Sequence, residues 1–97
     1  MNKKFEDKSV STLYKALLYL ETAEECSDFL EDLCTITEIN SMAQRLEVAQ
    51  LLNDKIVYTE IAKKTGASTA TISRVGRSLN YGTDGYRLVL DRLDGKI

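Results

Sequence analysis

A chain of 97 residues has room for one small domain, which buries roughly two-thirds of the surface its unfolded form exposes. It is 43% hydrophobic and 29% charged, has no proline and only five glycines, and carries a net charge of −2, a composition that excludes a disordered chain and favours an all-helical, globular one. Histidine is absent and the two cysteines form no Cys-x-x-Cys pair, which argues against a zinc site.

Residues 1–7 are polar and read as a flexible N-terminus, leaving 8–97 as a single helical domain. No secretory apolar core follows Lys3 and Lys4, and no run approaches the ~20 apolar residues a membrane span needs, so a cytoplasmic protein with no membrane partner is expected. Val10, Leu13, Leu17 and Leu20 recur at helical spacing, and Tyr14 and Leu18 widen their stripe. The spacing predicts a helix from Lys8 to Leu20 with more apolar surface than one contact can cover. Thr22 and Glu25 form a capping box that opens a second helix. One face of it carries Cys26, Phe29, Leu30, Leu33 and Cys34, and the other is acidic, with Glu24, Asp28, Glu31 and Asp32. On one helix the two cysteines stand about 12 Å apart along the axis, too far for a disulfide, and they read as buried thiols packed like small hydrophobes.

Thr37 is the next expected cap, for a third helix reaching Asn53 through Ile39, Met42, Ala43, Leu46, Val48, Ala49, Leu51 and Leu52. A short turn after Asn53-Asp54 leads to Tyr58–Leu79, which has the pattern of a helix-turn-helix. Ala62 is the small residue needed where two helices cross steeply. Gly66 supplies the left-handed backbone of the turn, and Ser68 the cap of the second helix. Ile61, Ile72, Val75 and Leu79 form the seam that fixes the crossing. Asn80-Tyr81-Gly82 is a break, after which a last helix, Asp84 to Leu93, turns Tyr86, Val89, Leu90 and Leu93 to one side and stops at Gly95.

The outer side of the second motif helix carries Thr69, Ala70, Ser73 and Arg77, with Thr71 and Arg74 on its flanks. Short hydrogen-bonding groups, a methyl and two guanidinium forks suit base edges and phosphates in a major groove about 12 Å wide. Thr69, Ala70 and Ser73 are the expected base readers, with Arg74 and Arg77 beside them, and the Ser68 and Thr69 amides form an anion site at the helix start. Lys63 and Lys64 read equally as phosphate contacts or as solvated lysines. Charge is distributed accordingly. Residues 1–57 hold 6 basic and 11 acidic side chains, whereas 58–80 hold four basic side chains against Glu60 alone. Local charge, rather than the total, sets the footprint on DNA.

The stretches Asp-Leu-Cys-Thr-Ile (32–36), Ala-Gln-Arg-Leu-Glu-Val-Ala (43–49) and Gly-Ala-Ser-Thr-Ala-Thr-Ile-Ser-Arg (66–74) strongly resemble the Trp-repressor family, and most closely its YerC/YecD-type branch. The resemblance implies a six-helix, all-α, Trp-repressor-like fold in which the N-terminal helices of two subunits interlock into an intertwined dimer. It also implies base-reading roles at Thr69, Ala70 and Ser73. It does not carry over tryptophan as corepressor. Of the two arginines that sandwich the indole in the repressor, only Arg74 is matched, and Val75 stands where the repressor has a glycine that leaves room for the ligand. No cofactor is expected, and a small-molecule effector of unknown identity is left open.

The expected function is therefore a homodimeric, sequence-specific regulator of transcription, a repressor by resemblance, bound to double-stranded DNA with its two heads about 34 Å apart. The alternative is a helical protein-interaction module or accessory factor without its own operator, docking through the helix pair or the acidic face around Glu24–Asp32. With no histidine, Gly-rich phosphate loop, nucleophile elbow or metal cluster, an enzyme is not expected.

Overall fold

Asp7, the first residue that the structure (a computed structural model) describes, accepts hydrogen bonds from the Ser9 and Val10 amides at 2.8 and 3.4 Å and so caps the first helix. The described residues are 7–95; the rest of the expected flexible N-terminus lies outside them. They form six helices and no strand: α1 (Lys8–Leu18), α2 (Ala23–Leu33), α3 (Ile36–Asn53), α4 (Tyr58–Thr65), α5 (Thr69–Tyr81) and α6 (Gly85–Leu93). The chain divides into two compact units, Met1–Ile39 and Asn40–Ile97.

In the first unit, α1 ends two residues before the expected Leu20, with Tyr19 as its C-cap. The capping box at α2 differs from expectation in one bond. Thr22 Oγ1 accepts from the Glu25 amide at 3.0 Å, but the Glu25 carboxylate takes the amide of Glu21, one residue earlier, at 2.9 Å. Cys34 is the extended C-cap of α2, and both thiols are free and half-buried rather than buried. Thr35, not Thr37, starts α3. Its hydroxyl accepts from the Glu38 amide at 3.0 Å while its own amide donates to Glu38 Oε1 at 2.8 Å. This reciprocal pair satisfies two orphan groups at once, which Thr37 has no carboxylate to do. Neither α1 nor α2 contains a buried residue.

The second unit holds the core. Val48 and Ala49 from α3, Ile61 from α4, Ala67 from the turn, Ile72, Val75 and Leu79 from α5, and Leu90 from α6 are all buried. Each large side chain among them contributes about 1.5–3 kcal/mol on leaving water. On α6 only Leu90 is buried; Tyr86 is half-buried, while Val89 and Leu93 stay exposed. The α6 helix begins one residue after the expected Asp84, which is its N-cap in a left-handed conformation (φ 68°).

Candidate nucleic-acid interface

The end of α3 sets the entry to the helix-turn-helix. Ile56 donates to the Leu51 carbonyl and Lys55 to that of Leu52, both at 3.0 Å. This is a Schellman closure, with Lys55 at the left-handed position (φ 67°) that glycine usually takes. The chain then enters α4 at Val57, which offers no side-chain cap. Because Glu60 and Ile61 are the first amides to reach the Val57 carbonyl, those of Tyr58 and Thr59 have no partner within the helix.

The turn between α4 and α5 is held at every step. Gly66 is left-handed (φ 72°) and donates to the Ala62 carbonyl at 2.9 Å. Thr65 Oγ1 donates to the Ile61 carbonyl at 2.7 Å and accepts from the Ala67 amide at 3.1 Å. Gln44 reaches across from α3, its Nε2 donating to the Thr65 carbonyl at 3.1 Å. Ser68 then caps α5, accepting from the Thr71 amide at 3.1 Å while its hydroxyl donates to Thr71 Oγ1. The seam is as the sequence predicts: Ile61, Ile72, Val75 and Leu79 are all buried.

With the seam inward, α5 presents Thr69, Ala70, Arg74 and Arg77 to solvent and leaves Ser73 half-buried. Ser68 and Thr71, also expected at DNA, are placed as a cap pair, with Ser68 exposed and Thr71 half-buried. Lys63 and Lys64 are exposed in the last turn of α4. Three residues that shape this surface were missing from the sequence reading. Gln44 and Thr65 fix the turn. Gly76 is the second small residue of the crossing, since a Cβ there would lie 3.3 Å from the Tyr58 hydroxyl. Only the last had a local signal, a glycine within a helical pattern.

Two pockets flank α5, both within the second unit. A shallow apolar one of about 650 Å³ lies against Leu46, Ser78, Tyr86 and Val89. A smaller polar one of about 170 Å³ lies between the end of α3, the start of α4, the end of α5 and α6. Val75 lines neither and is buried in the seam. Among the described residues no cluster of three His, Cys, Asp or Glu side chains could hold a metal ion, and no helix is long and apolar enough to cross a membrane.

Known proteins carry the same architecture. A TrpR-like protein from Eubacterium eligens ATCC 27750 superposes with a TM-score of 0.92 at 55% identity, over 96% of both chains. A crystal structure from Staphylococcus aureus gives a TM-score of 0.90 at 47% identity, over 95% of this chain and 92% of the other. YerC of Bacillus subtilis (strain 168), itself uncharacterized, is 53% identical over 90 residues, 93% of this chain and 86% of its own length. Residues 8–94, nearly the whole chain and all six helices, match the family described as Trp repressor protein, and the chain belongs to that family.

Proposed function

We propose that this protein is a sequence-specific, DNA-binding regulator of transcription, a repressor rather than an enzyme, that enters the major groove with α5. The observation that carries the reading is the presentation of α5. A turn fixed by Gly66, Thr65 and Gln44 holds out a capped helix whose solvent side is made of short polar groups and two arginines. In this reading Thr69, Ala70 and Ser73 meet base edges. Arg74, Arg77 and the lysines Lys63 and Lys64 meet phosphates, and Ser68 with Thr71 holds the helix start at the groove. Membership of the Trp repressor family supports it.

The working form is a homodimer in the cytoplasm. The support is the first unit, where Leu13, Tyr14, Leu17, Leu18 and Tyr19 stand exposed on or beside a helix that buries nothing. Apolar surface of that kind on a short helix is covered by a partner in a stable protein. Tryptophan is not the corepressor in this proposal, because the β-branched Val75 occupies the seam where the repressor carries a glycine.

Selection of bound duplexes from a random pool, repeated with and without saturating tryptophan, tests the reading. The expected result is an enriched near-palindrome whose recovery is unaffected by tryptophan. Arg77→Ala should weaken binding to every duplex and flatten its salt dependence, while Ser73→Ala should alter preference among sites. A pool recovered without enrichment or salt dependence overturns it.

A further inference from the structure

The polar pocket beside α5 has a composition that the base-reading surface does not explain. Its polar lining comes from Asn53, Lys55, Tyr58, Asn80 and Arg87, without a carboxylate. Arg87 sits at its centre of organisation: Nη1 donates to Asn53 Oδ1 at 3.3 Å and Nη2 to Asn80 Oδ1 at 3.2 Å. With each amide oxygen already accepting from the guanidinium, Asn53 and Asn80 have their NH₂ groups to offer as donors. The remaining guanidinium N–H groups, the Lys55 ammonium and the Tyr58 hydroxyl are donors as well. A pocket lined by donors, two of them cationic, selects an anion with several acceptor oxygens.

Three further observations narrow the anion. Tyr58, which lines the pocket, stands at the uncapped start of α4, the positive end of a helix dipole. Lys55 holds a left-handed conformation at a Schellman position where glycine would be unstrained. Non-glycine residues held in such a conformation cluster at functional sites. Finally, Asn80 lies at the edge of the presented surface. At 100° per residue it falls between Thr69 and Ser73 around α5, one turn beyond Arg77 towards the helix end.

We infer that this pocket seats a phosphate group, the backbone phosphodiester that borders the groove entered by α5. The inference rests on the DNA-binding reading above and adds Lys55, Arg87, Tyr58 and Asn80 to its contacts. It makes α6 part of the interface, through an arginine that ties the end of α3 to the end of α5.

The test uses the full chain and the duplexes selected above. Asparagine accepts a left-handed backbone, so Lys55→Asn removes the charge without adding strain, and Lys55→Arg restores it. Lys55→Asn should weaken binding equally on all duplexes and lower the slope of log affinity against log salt by about 0.9, with base preference unchanged and Lys55→Arg returning the slope. In a parallel arm, inorganic phosphate at matched ionic strength should shift the Tyr58 and Thr59 amide resonances saturably, and Lys55→Asn should abolish the shift. An unchanged slope with no phosphate shift overturns the seat. An unchanged slope with a saturable shift assigns it to a free phosphate ligand and overturns the backbone assignment. If Arg77→Ala weakens binding and Lys55→Asn does not, the DNA reading stands and this inference alone fails. If the unaltered chain binds no duplex, the function proposed above has failed and the backbone assignment falls with it.

Discussion

The two units of this chain are built from similar proportions of apolar residue and use them in opposite ways. In the second, eight side chains from four helices and one turn converge and leave water, so the helix-turn-helix is self-supporting within one chain. In the first, Leu18 and Tyr19 remain 85% and 82% exposed, and the helices are secured by local bonds at their ends: Asp7, the Thr22–Glu25 pair and the Thr35–Glu38 pair. End caps worth about 1 kcal/mol each do not hold an eleven-residue helix in water. The difference teaches that the second unit carries its own core, whereas the N-terminal helices lack one, which is what the proposed homodimer would supply.

Substitutions can break that comparison, beginning with the largest expected effect. Ile61→Ala removes a fully buried side chain and should cost about 2–5 kcal/mol, read as a lowered urea midpoint at matched protein concentration. Leu17→Asp, on the exposed stripe of α1, should act differently. It should convert a dimer to a monomer in sedimentation equilibrium, and the melting temperature of the unaltered chain should rise with concentration while that of the variant does not. A concentration-independent melt for the unaltered chain would refute the assembly role.

Smaller changes sharpen the contrast. Ser68→Ala removes the α5 cap and should cost about 1 kcal/mol, lowering the melting temperature by roughly 4–8 °C for a domain of this size. In the first unit, the Thr35 amide donated to the Glu38 carboxylate, aided by the Thr35 side chain, holds that carboxyl below its ordinary value of 4.5. A depressed folded-state value means that the cap's contribution is present above the unfolded-state value and is lost as pH falls through the lower, folded one. Acid titration should therefore loosen the first turn of α3 below about pH 4.5, seen as faster amide exchange at Glu38, and Glu38→Gln should remove that pH dependence.

Much of this architecture is legible in the sequence because its determinants are local. Gly66 announces the left-handed turn, Ser68 the cap, and the spacing of Ile61, Ile72, Val75 and Leu79 the seam. The Thr35 cap has a local signal, a Glu three residues on, but the apolar pattern that begins at Ile39 points to Thr37 instead. The bond from Gln44 to the Thr65 carbonyl spans 21 residues and has no local trace. The same holds for the Arg87 bridge between Asn53 and Asn80, since nothing in a run of side chains says which distant amides a guanidinium will meet. Lys55 is hidden for another reason: lysine is not a residue from which a left-handed turn is expected. Periodicity finds the apolar stripe of α1 but is silent on what covers it.

Gly76 lets the start of α4 approach α5, and it also divides α5 mechanically. A glycine inside a helix weakens it by about 0.5–1 kcal/mol relative to alanine, and here it falls between the turns that carry Ser73 and Asn80. The helix is thus a stiff, capped front half joined through a soft point to a back half anchored by Arg87. Hydrogen exchange should resolve the two, with amides of residues 77–81 opening at lower free energy than those of 72–75. Such a joint would let the capped front half hold its pitch while the back half follows α6 through the Arg87–Asn80 bond.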